Sequence, residues 1–438
     1  MSLGSMINKS TIILCIGLLV SSQVSVADGN SNLGTVLTIE KAVLLSLENE
    51  PGMSSQNWMA RSLTEKAIAD SQLPDPKLKI GYLNLPTDTY DRDQENMTQF
   101  KIGVTQSFPA GDILNYKQKK IDNQSLAMRE KQEQRRLMIT KNVRLTYLEI
   151  YYLEKSRKTI VENKALFSQL TNIVRSLFTL GQNNQQDLIH AQLELTQLDD
   201  RIVKIDQKIK VLRYQLARWI GIENSKLPLH EKLPIWNSVE ERDYSMQQED
   251  SATQLIQHPI IKEADQQIEI SRQDIAIVKE SYKPGWGLDV SYSYREDRPD
   301  GIERADLLSI GASIDLPLFS AKRQDKKLLS KEYNSQSLKD KRVEMLRELI
   351  SSLQQEYSTK SQLEKRNKLY QTLLLPQAEQ QAEAALLGYQ SKRADFADVM
   401  RAYIDNLNAH LDSMRIRIDL LKVKSRIFYY LPSLSDEV

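Results

Sequence analysis

The sequence has few of the residues that interrupt regular secondary structure, with 15 glycines and 13 prolines among 438 residues. This scarcity predicts a small number of long elements. The only cysteine, Cys15, lies in an apolar N-terminal run, so the rest of the chain has no thiol for a disulfide, a nucleophile or a zinc-thiolate site. The four histidines lie far apart without metal-ligand spacing. We therefore predict no metal site and no cofactor.

An excess of charge of one sign is also absent, because the formal net charge is +1. The sequence thus gives no electrostatic reason to expect nucleic acid as a partner. No spacing indicates a nucleophile with its base, and the glycine-containing turns lack phosphate-loop spacing, so an enzyme is not predicted. No segment after the N-terminal run has the roughly 18 consecutive apolar residues of a membrane-spanning helix. Any part that crosses a membrane must then be β-structure.

The N-terminus indicates export. Lys9 precedes an apolar run from Ile12 to Val20, and small residues up to Ala27 are placed for cleavage. We therefore expect a signal peptide at residues 1–27. Cys15 follows a leucine, whereas a lipoprotein cleavage site has a small residue there, so an unlipidated N-terminus is expected.

The remaining chain contains a long internal repeat. Four pairs of segments align in the same order at offsets of 207 to 210 residues: Pro51 with Pro259, 71–82 with 281–292, 100–109 with 308–317, and 180–181 with 387–388. Together they indicate a duplicated unit of about 208 residues. The expected organisation is a first repeat at 28–220, a linker at 221–250 and a second repeat at 251–438.

Each repeat is predicted to contain a helix, a β-hairpin, a long helix and another helix. Alternation of apolar with polar or small residues places the hairpins at about 77–109 and 287–317. Helical patterns cover 38–72, 112–180 and 321–387, and each long helix is expected to end at a leucine-glycine pair. The helices that follow carry apolar residues in steps of three and four, which predicts coiled-coil packing. The fold class is mainly α with a small β part.

Four amphipathic strands per chain are too few to close a membrane barrel, which needs about eight. If the strands enter a membrane, several copies of the chain must share one barrel. At about 1.5 Å per residue, the long helices would extend about 100 Å from it.

The order of elements, the segments "LPDPKLKIGY" at 73–82 and "SIDLPLFSAKRQ" at 313–324, and the two leucine-glycine pairs resemble the TolC-type outer-membrane efflux channels. The resemblance is closest to the branch typified by CzcC and CusC. It implies a homotrimer in the bacterial outer membrane, with a transmembrane β-barrel of 12 strands, four from each chain, and a long α-helical coiled-coil barrel extending into the periplasm. It also implies a passive conduit that works with a periplasmic adaptor (membrane fusion) protein and an inner-membrane pump of the resistance-nodulation-division type. The alternative is a soluble periplasmic coiled-coil scaffold or adaptor, for which the helical seams alone would suffice.

The resemblance assigns adaptor contact to the two leucine-glycine turns, that is, to Leu180, Gly181, Gln182, Leu387, Gly388 and Tyr389. A glycine that simply ends a helix is the alternative interpretation.

The resemblance also implies a pore gate formed by Asp395 and Asp398, whose spacing places both on one helix face, with Lys392 and Arg393 as cationic partners. The alternative is that these acids cap the helix start.

Aromatic residues on or beside the strands could lie at a membrane interface, in contact with outer-membrane lipid. They are Tyr82, Phe100, Phe108, Trp286, Tyr292 and Tyr294. Ordinary cross-strand packing in a soluble sheet is the alternative.

Overall fold

The structure, a computed structural model, describes residues 36–48, 50–181, 184–236, 253–391 and 393–434. The description below concerns the unit formed by residues 36–438. The expected signal peptide with Cys15 lies outside the described residues, as do Gln182, Lys392 and residues 237–250 of the predicted linker.

The first repeat has the predicted order of elements. They are α1 (Ile39–Glu48), α2 (Pro51–Asp70), β1 (Lys77–Leu83), β2 (Gln99–Phe108), α3 (Ile113–Thr179), α4 (Gln185–Ile220) and the short α5 (Ile222–Lys226).

The second repeat follows the same order after a helical turn at 253–256. Its elements are α6 (Pro259–Glu280), β3 (Gly285–Tyr294), β4 (Leu307–Asp315), α7 (Gln324–Leu369), a π-turn (Tyr370–Leu374), α8 (Leu375–Gln390), α9 (Phe396–Tyr430) and a 3-10 turn (Pro432–Leu434). The α7, π-turn and α8 segments are continuous and together match the 67 residues of α3.

The helix predicted over 38–72 is divided in two, because Pro51 occupies the first turn of α2. Proline favours this position since it has no N–H to donate. Glu50 is the N-cap, and its Oε2 accepts a hydrogen bond from the Met53 backbone N–H at 2.6 Å. His258 caps α6 before Pro259 in the same way, with Nδ1 accepting from the Ile260 N–H at 3.3 Å.

The four strands form one antiparallel sheet in the order β1-β2-β3-β4. Strands β2 and β3 join the two repeats, with Val104 opposite Val290. The second hairpin spans 285–315, two residues earlier than the alternation predicted. In this sheet β1 and β4 are the edge strands.

The predicted end of the second long helix at Gly388 is wrong. Gly181 does end α3 in the left-handed region, at φ 72°, but α8 continues through Gly388 to Gln390. Gly388 instead lies where a side chain would be crowded, since a Cβ there would be 3.1 Å from the Cβ of Ala394. The chain turns back closely at this point, and the Arg393 N–H donates to the Gly388 carbonyl at 2.8 Å.

The short helices follow one another along the long helices. Helices α2 and α4 both pack on α3, whereas α6 packs on α3 and α7, and α9 packs on α3, α7 and α8. The predicted seam of α4 is turned inward, with Ala191 and Leu198 buried against Phe167 and Val174 of α3. Within the described ranges, no helix is long and apolar enough to cross a membrane.

Candidate functional site

One face of the sheet is apolar and exposed. Because side chains alternate along a strand, the even-numbered positions of all four strands share this face. Its exposed aliphatic members are Leu78, Ile80, Ile102, Val104, Leu288, Val290, Leu308, Ile310 and Ile314. Leu308 and Ile310 are 70% and 71% exposed. A continuous apolar surface of this kind indicates contact with lipid or with another protein.

The six predicted interface aromatics lie on this face. Phe100 is opposite both Tyr82 and Tyr294, and the Tyr82 and Phe100 ring centroids are 5.2 Å apart. Tyr292 lies two residues from Tyr294, opposite Ile102. At the helical end of the sheet, Phe108 stacks on Trp286 with ring centroids 3.9 Å apart. The eight residue steps from Phe100 to Phe108 separate the two aromatic levels by about 27 Å along the strand.

The opposite face carries small and polar side chains. Gly103 lies opposite Ser291, and a Cβ added to Gly103 would be 2.7 Å from the Ser291 Cβ. Asp289 accepts a 2.6 Å hydrogen bond from the Thr105 hydroxyl and lies 3.5 Å from the Lys79 ammonium. The sheet therefore has an exposed apolar face and an opposite face of small and polar residues, of which Ser291 and Ser293 are buried in the single chain.

The two hairpin loops are joined by arginines at the outer end of the sheet. Arg304 of the second loop donates to the carbonyl of Asp93 at 3.1 Å and to Oδ1 of Asn96 at 3.0 Å. Arg92 of the first loop pairs with Glu296 at 3.3 Å. These contacts link the repeats independently of the strand ladder.

At the helical end, Asp274 of α6 connects the two long helices. Its carboxylate lies 2.8 Å from Lys120 of α3 and 2.9 Å from Lys331 of α7. Burial alone would raise the pKa of Asp274, but hydrogen bonds from both ammonium groups lower it below its ordinary value. Sequence reasoning missed this contact because no local spacing relates the three residues.

The turn between α3 and α4 exposes apolar side chains. Leu180 is 70% exposed, and Ile189 and Leu193 of α4 line a 380 Å³ groove with Gln185, Gln186 and His190. Gly181 provides the left-handed turn that directs the chain into α4. Gln182, the third residue predicted at this turn, lies outside the described residues.

The turn between α8 and α9 is different. Leu387 is 58% exposed, but Tyr389 is half-buried, with its ring centroid 5.6 Å from that of Phe396. Both turns therefore leave their leucine exposed, and the second turn also holds an aromatic ring against its own helix pair.

The two predicted gate acids lie at the start of α9, and both are exposed. Asp395 is the N-cap residue by backbone conformation, but its side chain makes no capping hydrogen bond. Asp398 is in the first turn and lies 3.3 Å from Arg401. Arg401 was not among the predicted partners, although its i,i+3 spacing could have indicated it. Arg393 is exposed, and Lys392 is outside the described residues.

Across the described ranges, no group of three or more His, Cys, Asp or Glu side chains could hold a metal ion. The features brought together are instead an amphipathic sheet, long helices and two turns of contrasting chemistry. Such an arrangement can lie at a boundary between an apolar and an aqueous phase, and its turns can contact other proteins.

No protein-family model matches the sequence, and no curated protein matches it significantly. Solved structures do match. The outer membrane protein VceC of Vibrio cholerae is 16% identical, with a TM-score of 0.74 over 90% of this chain and 95% of that one. CusC, solved in a study of folding and transmembrane channel formation, is 16% identical, with a TM-score of 0.75 over 90% and 91%. The CmeC outer membrane channel of Campylobacter jejuni is 13% identical, with a TM-score of 0.74 over 90% and 85%. The chain therefore has the fold of these TolC-type channels, and it is no more similar to CusC than to VceC.

Proposed function

We propose that this chain is the outer-membrane channel of a tripartite efflux system, in which three copies form a passive conduit. The observation that carries the proposal is the four-stranded sheet, apolar and exposed on one face and polar on the other, continuous with long helices. The 67 residues of α3 correspond to about 100 Å. An enzyme needs no such geometry, whereas a conduit across a compartment does.

The dimensions of the sheet support insertion in a membrane. Its two aromatic levels are about 27 Å apart along the strands. At the tilt of about 35 to 45° that barrel strands have, this corresponds to about 19 to 22 Å along the membrane normal, near the apolar band of about 25 Å that aromatic girdles flank in outer-membrane barrels. The aliphatic side chains between them would face lipid, and the glycine and serine face would line the pore. An open sheet would leave the backbone groups of β1 and β4 unpaired in lipid, which is costly. Three copies would supply 12 strands and pair every edge.

The acids at the start of α9 are our candidates for the gate. In a trimer, Asp395 and Asp398 would each form a ring of three carboxylates, which favours cations. Replacing both with alanine should raise single-channel conductance and lower cation preference in planar bilayers. Replacing Asp187, an acid in the first turn of α4, is the matched control. Unchanged conductance in the double variant would remove the gate assignment.

The turns at the far ends of the helices are our candidates for contact with a periplasmic adaptor, which would connect the channel to an inner-membrane pump. The exposed apolar side chains around Leu180 make the first turn the better candidate. A photocrosslinking residue at 182 should capture the adaptor in cells with a working pump, and one at 389 should do so less efficiently. If neither position yields an adaptor adduct, adaptor contact at the turns is wrong.

Cell fractionation tests the proposed function as a whole. We expect the protein in the outer-membrane fraction, as a trimer that resists heating in detergent. The soluble periplasmic scaffold suggested by the helical seams would instead appear in the periplasmic extract. The exposed apolar sheet face argues against that alternative.

A further inference from the structure

The contact between the two repeats of one chain is a model for the contact between two copies of the chain. We infer that β1 of one copy pairs antiparallel with β4 of a second copy in the register that places Gly81 opposite Gly311, and that α2 packs against α7 of that copy with Ser55 near Lys341. This inference rests on the proposed trimer and adds its register and contacting residues.

The register follows from the junction of the repeats within one chain. There β2 pairs with β3, and Gly103 lies opposite Ser291. In the sequence repeat, β2 corresponds to β4 at an offset of 208 residues, so Gly311 is the equivalent of Gly103. Likewise β1 corresponds to β3 at an offset of 210 residues, so Gly81 is the equivalent of Ser291. If copies join as repeats do, Gly81 and Gly311 are opposite each other.

The inferred register keeps the faces of the sheet continuous. It places Tyr82 opposite Ile310 and Ile80 opposite Ala312, so that apolar side chains remain on one side across the junction. A slip by one residue would turn every apolar side chain of one strand to the polar side. Both strands are sheet edges in the single chain, with backbone groups available for pairing.

The space around Gly81 and Gly311 also agrees with a strand pairing that forms only between two copies. A Cβ added to Gly103 would meet Ser291, whereas a Cβ added to Gly81 or to Gly311 meets nothing within 4 Å. Inside the chain, β3 fills the space next to Gly103. No strand fills the corresponding space next to Gly81 or Gly311 in the single chain.

The helical part of the contact follows from α6, which packs on both α3 and α7. Its contact with the preceding repeat includes Glu263 and Lys131, 3.6 Å apart. Glu263 is four residues after Pro259, as Ser55 is after Pro51. The equivalent of Glu263 in the first repeat is thus Ser55, on α2.

Paired hydroxyl groups identify the equivalent position on α7. Ser125 of α3 hydrogen-bonds Thr64 of α2 at 3.2 Å, and Ser335 of α7 hydrogen-bonds Ser271 of α6 at 3.0 Å. Lys131 is six residues after Ser125, and Lys341 is six residues after Ser335. Lys341 therefore faces away from its own α6 as Lys131 faces away from its own α2.

Both inferred surfaces are exposed in the single chain, whereas Glu263 and Lys131 are half-buried. A groove of about 1080 Å³ follows this side of α7 and is lined by Ser337, Lys341, Glu344 and Glu348, among others. On α3 the equivalent side is covered by α6. The occupant that the duplication specifies for the α7 groove is therefore α2 of a second copy.

Cysteine pairs test the register in the full chain with Cys15→Ser. The variant with Gly81→Cys and Gly311→Cys should form a covalent trimer when membranes are oxidised with copper phenanthroline, because each copy links to two others. Each single variant should stay uncrosslinked. A variant with Gly81→Cys and Ser309→Cys is the register control, since diagonal positions are about 7 to 8 Å apart and most disulfides need less than about 7 Å. For the helices, Ser55→Cys with Lys341→Cys should be joined by a short bismaleimide, and Glu65→Cys with Lys341→Cys should not, because Glu65 is exposed about 15 Å further along α2.

Two failures are distinguishable. If light scattering shows an intact trimer in detergent but the 81–311 pair does not crosslink, the inferred register is wrong and the proposed function stands. If the protein is monomeric in detergent and in the membrane, both the register and the proposed conduit are wrong.

Discussion

The far halves of the two long helices have the same topology but different packing. The far half of α3 buries Phe167, Leu170 and Val174 against α4 and α9. The equivalent α8 has a single buried residue, Ala382, and follows a π-turn that accommodates Pro376. Two helical segments of one length can therefore occupy equivalent places while one buries large side chains fully and the other only partly, as at Leu386 and Tyr389.

This difference shows that the length of a helix and its packing against neighbouring helices are specified by different features of the sequence. Length follows from the scarcity of proline and glycine, whereas anchoring follows from the size of the inward side chains. We therefore expect the α8–α9 end to be less stable than the α3–α4 end, and the following changes test this contrast in order of decreasing effect.

Truncation of Phe167 should have the largest effect. Phe167→Ala removes a fully buried ring between three helices and should cost about 3 to 5 kcal/mol of unfolding free energy. Leu387→Ala, at an exposed position near the end of α8, should change it by less than about 0.5 kcal/mol. Thermal unfolding followed by circular dichroism measures both, and equal losses would remove the contrast in packing.

Proline should be tolerated in one long helix and not in the other. Ala165 is exposed in α3, at the position equivalent to Pro376 when the two helical segments are aligned from their first residues. Ala165→Pro should cost about 3 kcal/mol or more, because it removes a hydrogen bond and clashes with the preceding turn. Ala165→Gly, which keeps the N–H, should cost about 1 kcal/mol. Similar values for the two variants would show that α3 can form a π-turn as readily as the second repeat does.

The caps of α2 and α6 should respond to different pH ranges. Burial lowers the pKa of His258 from 6.5 to about 4, although the hydrogen bond between Nε2 and the Tyr429 carbonyl acts in the opposite direction. The Nδ1 atom accepts the capping hydrogen bond from the Ile260 N–H. Because the unfolded chain takes up this proton first, stability falls as the pH drops from 6.5 to about 4, by up to about 3 kcal/mol. The hydrogen bond from Arg135 lowers the pKa of Glu50 from 4.5 to about 2, so its contribution is lost only below pH 4.5.

Melting curves between pH 7 and pH 5 separate the two caps. His258→Asn retains a capping side chain without the titrating group and should reduce the loss of stability over this range. Glu50→Gln should lower stability at pH 7 and leave the slope between pH 7 and pH 5 unchanged. A slope unaffected by His258→Asn would contradict the assignment.

The two glycine turns should show the smallest difference. Gly181→Ala forces a side chain into the left-handed region at φ 72° and should cost about 1 to 2 kcal/mol. Gly388→Ala gains about 0.5 to 1 kcal/mol of helix propensity, which the close Ala394 contact offsets. Equal costs, measured by thermal unfolding, would mean that both glycines end a helix as the sequence pattern suggested.

The sequence predicted the order of elements well because hydrophobic period and rare breakers are local signals. The α4 seam and the strand faces are examples, since each depends on spacing alone. Gly388 was misinterpreted because the pattern of a leucine-glycine pair does not distinguish a left-handed residue from one that allows close approach. The ion pairs of Asp274 join residues distant in sequence, so no local spacing could have indicated them. Tyr389 and Phe396 are only seven residues apart, but their ring contact depends on the turn between two helices and not on the spacing within one.

The central claim is that three copies of this chain form one membrane conduit. Native mass spectrometry of the protein extracted from outer membranes in detergent tests it most directly. The account predicts a complex with three times the mass of the mature chain, which remains intact when the detergent micelle is removed in the gas phase. A population consisting only of monomers would contradict it, because four strands with two unpaired edges cannot close a barrel.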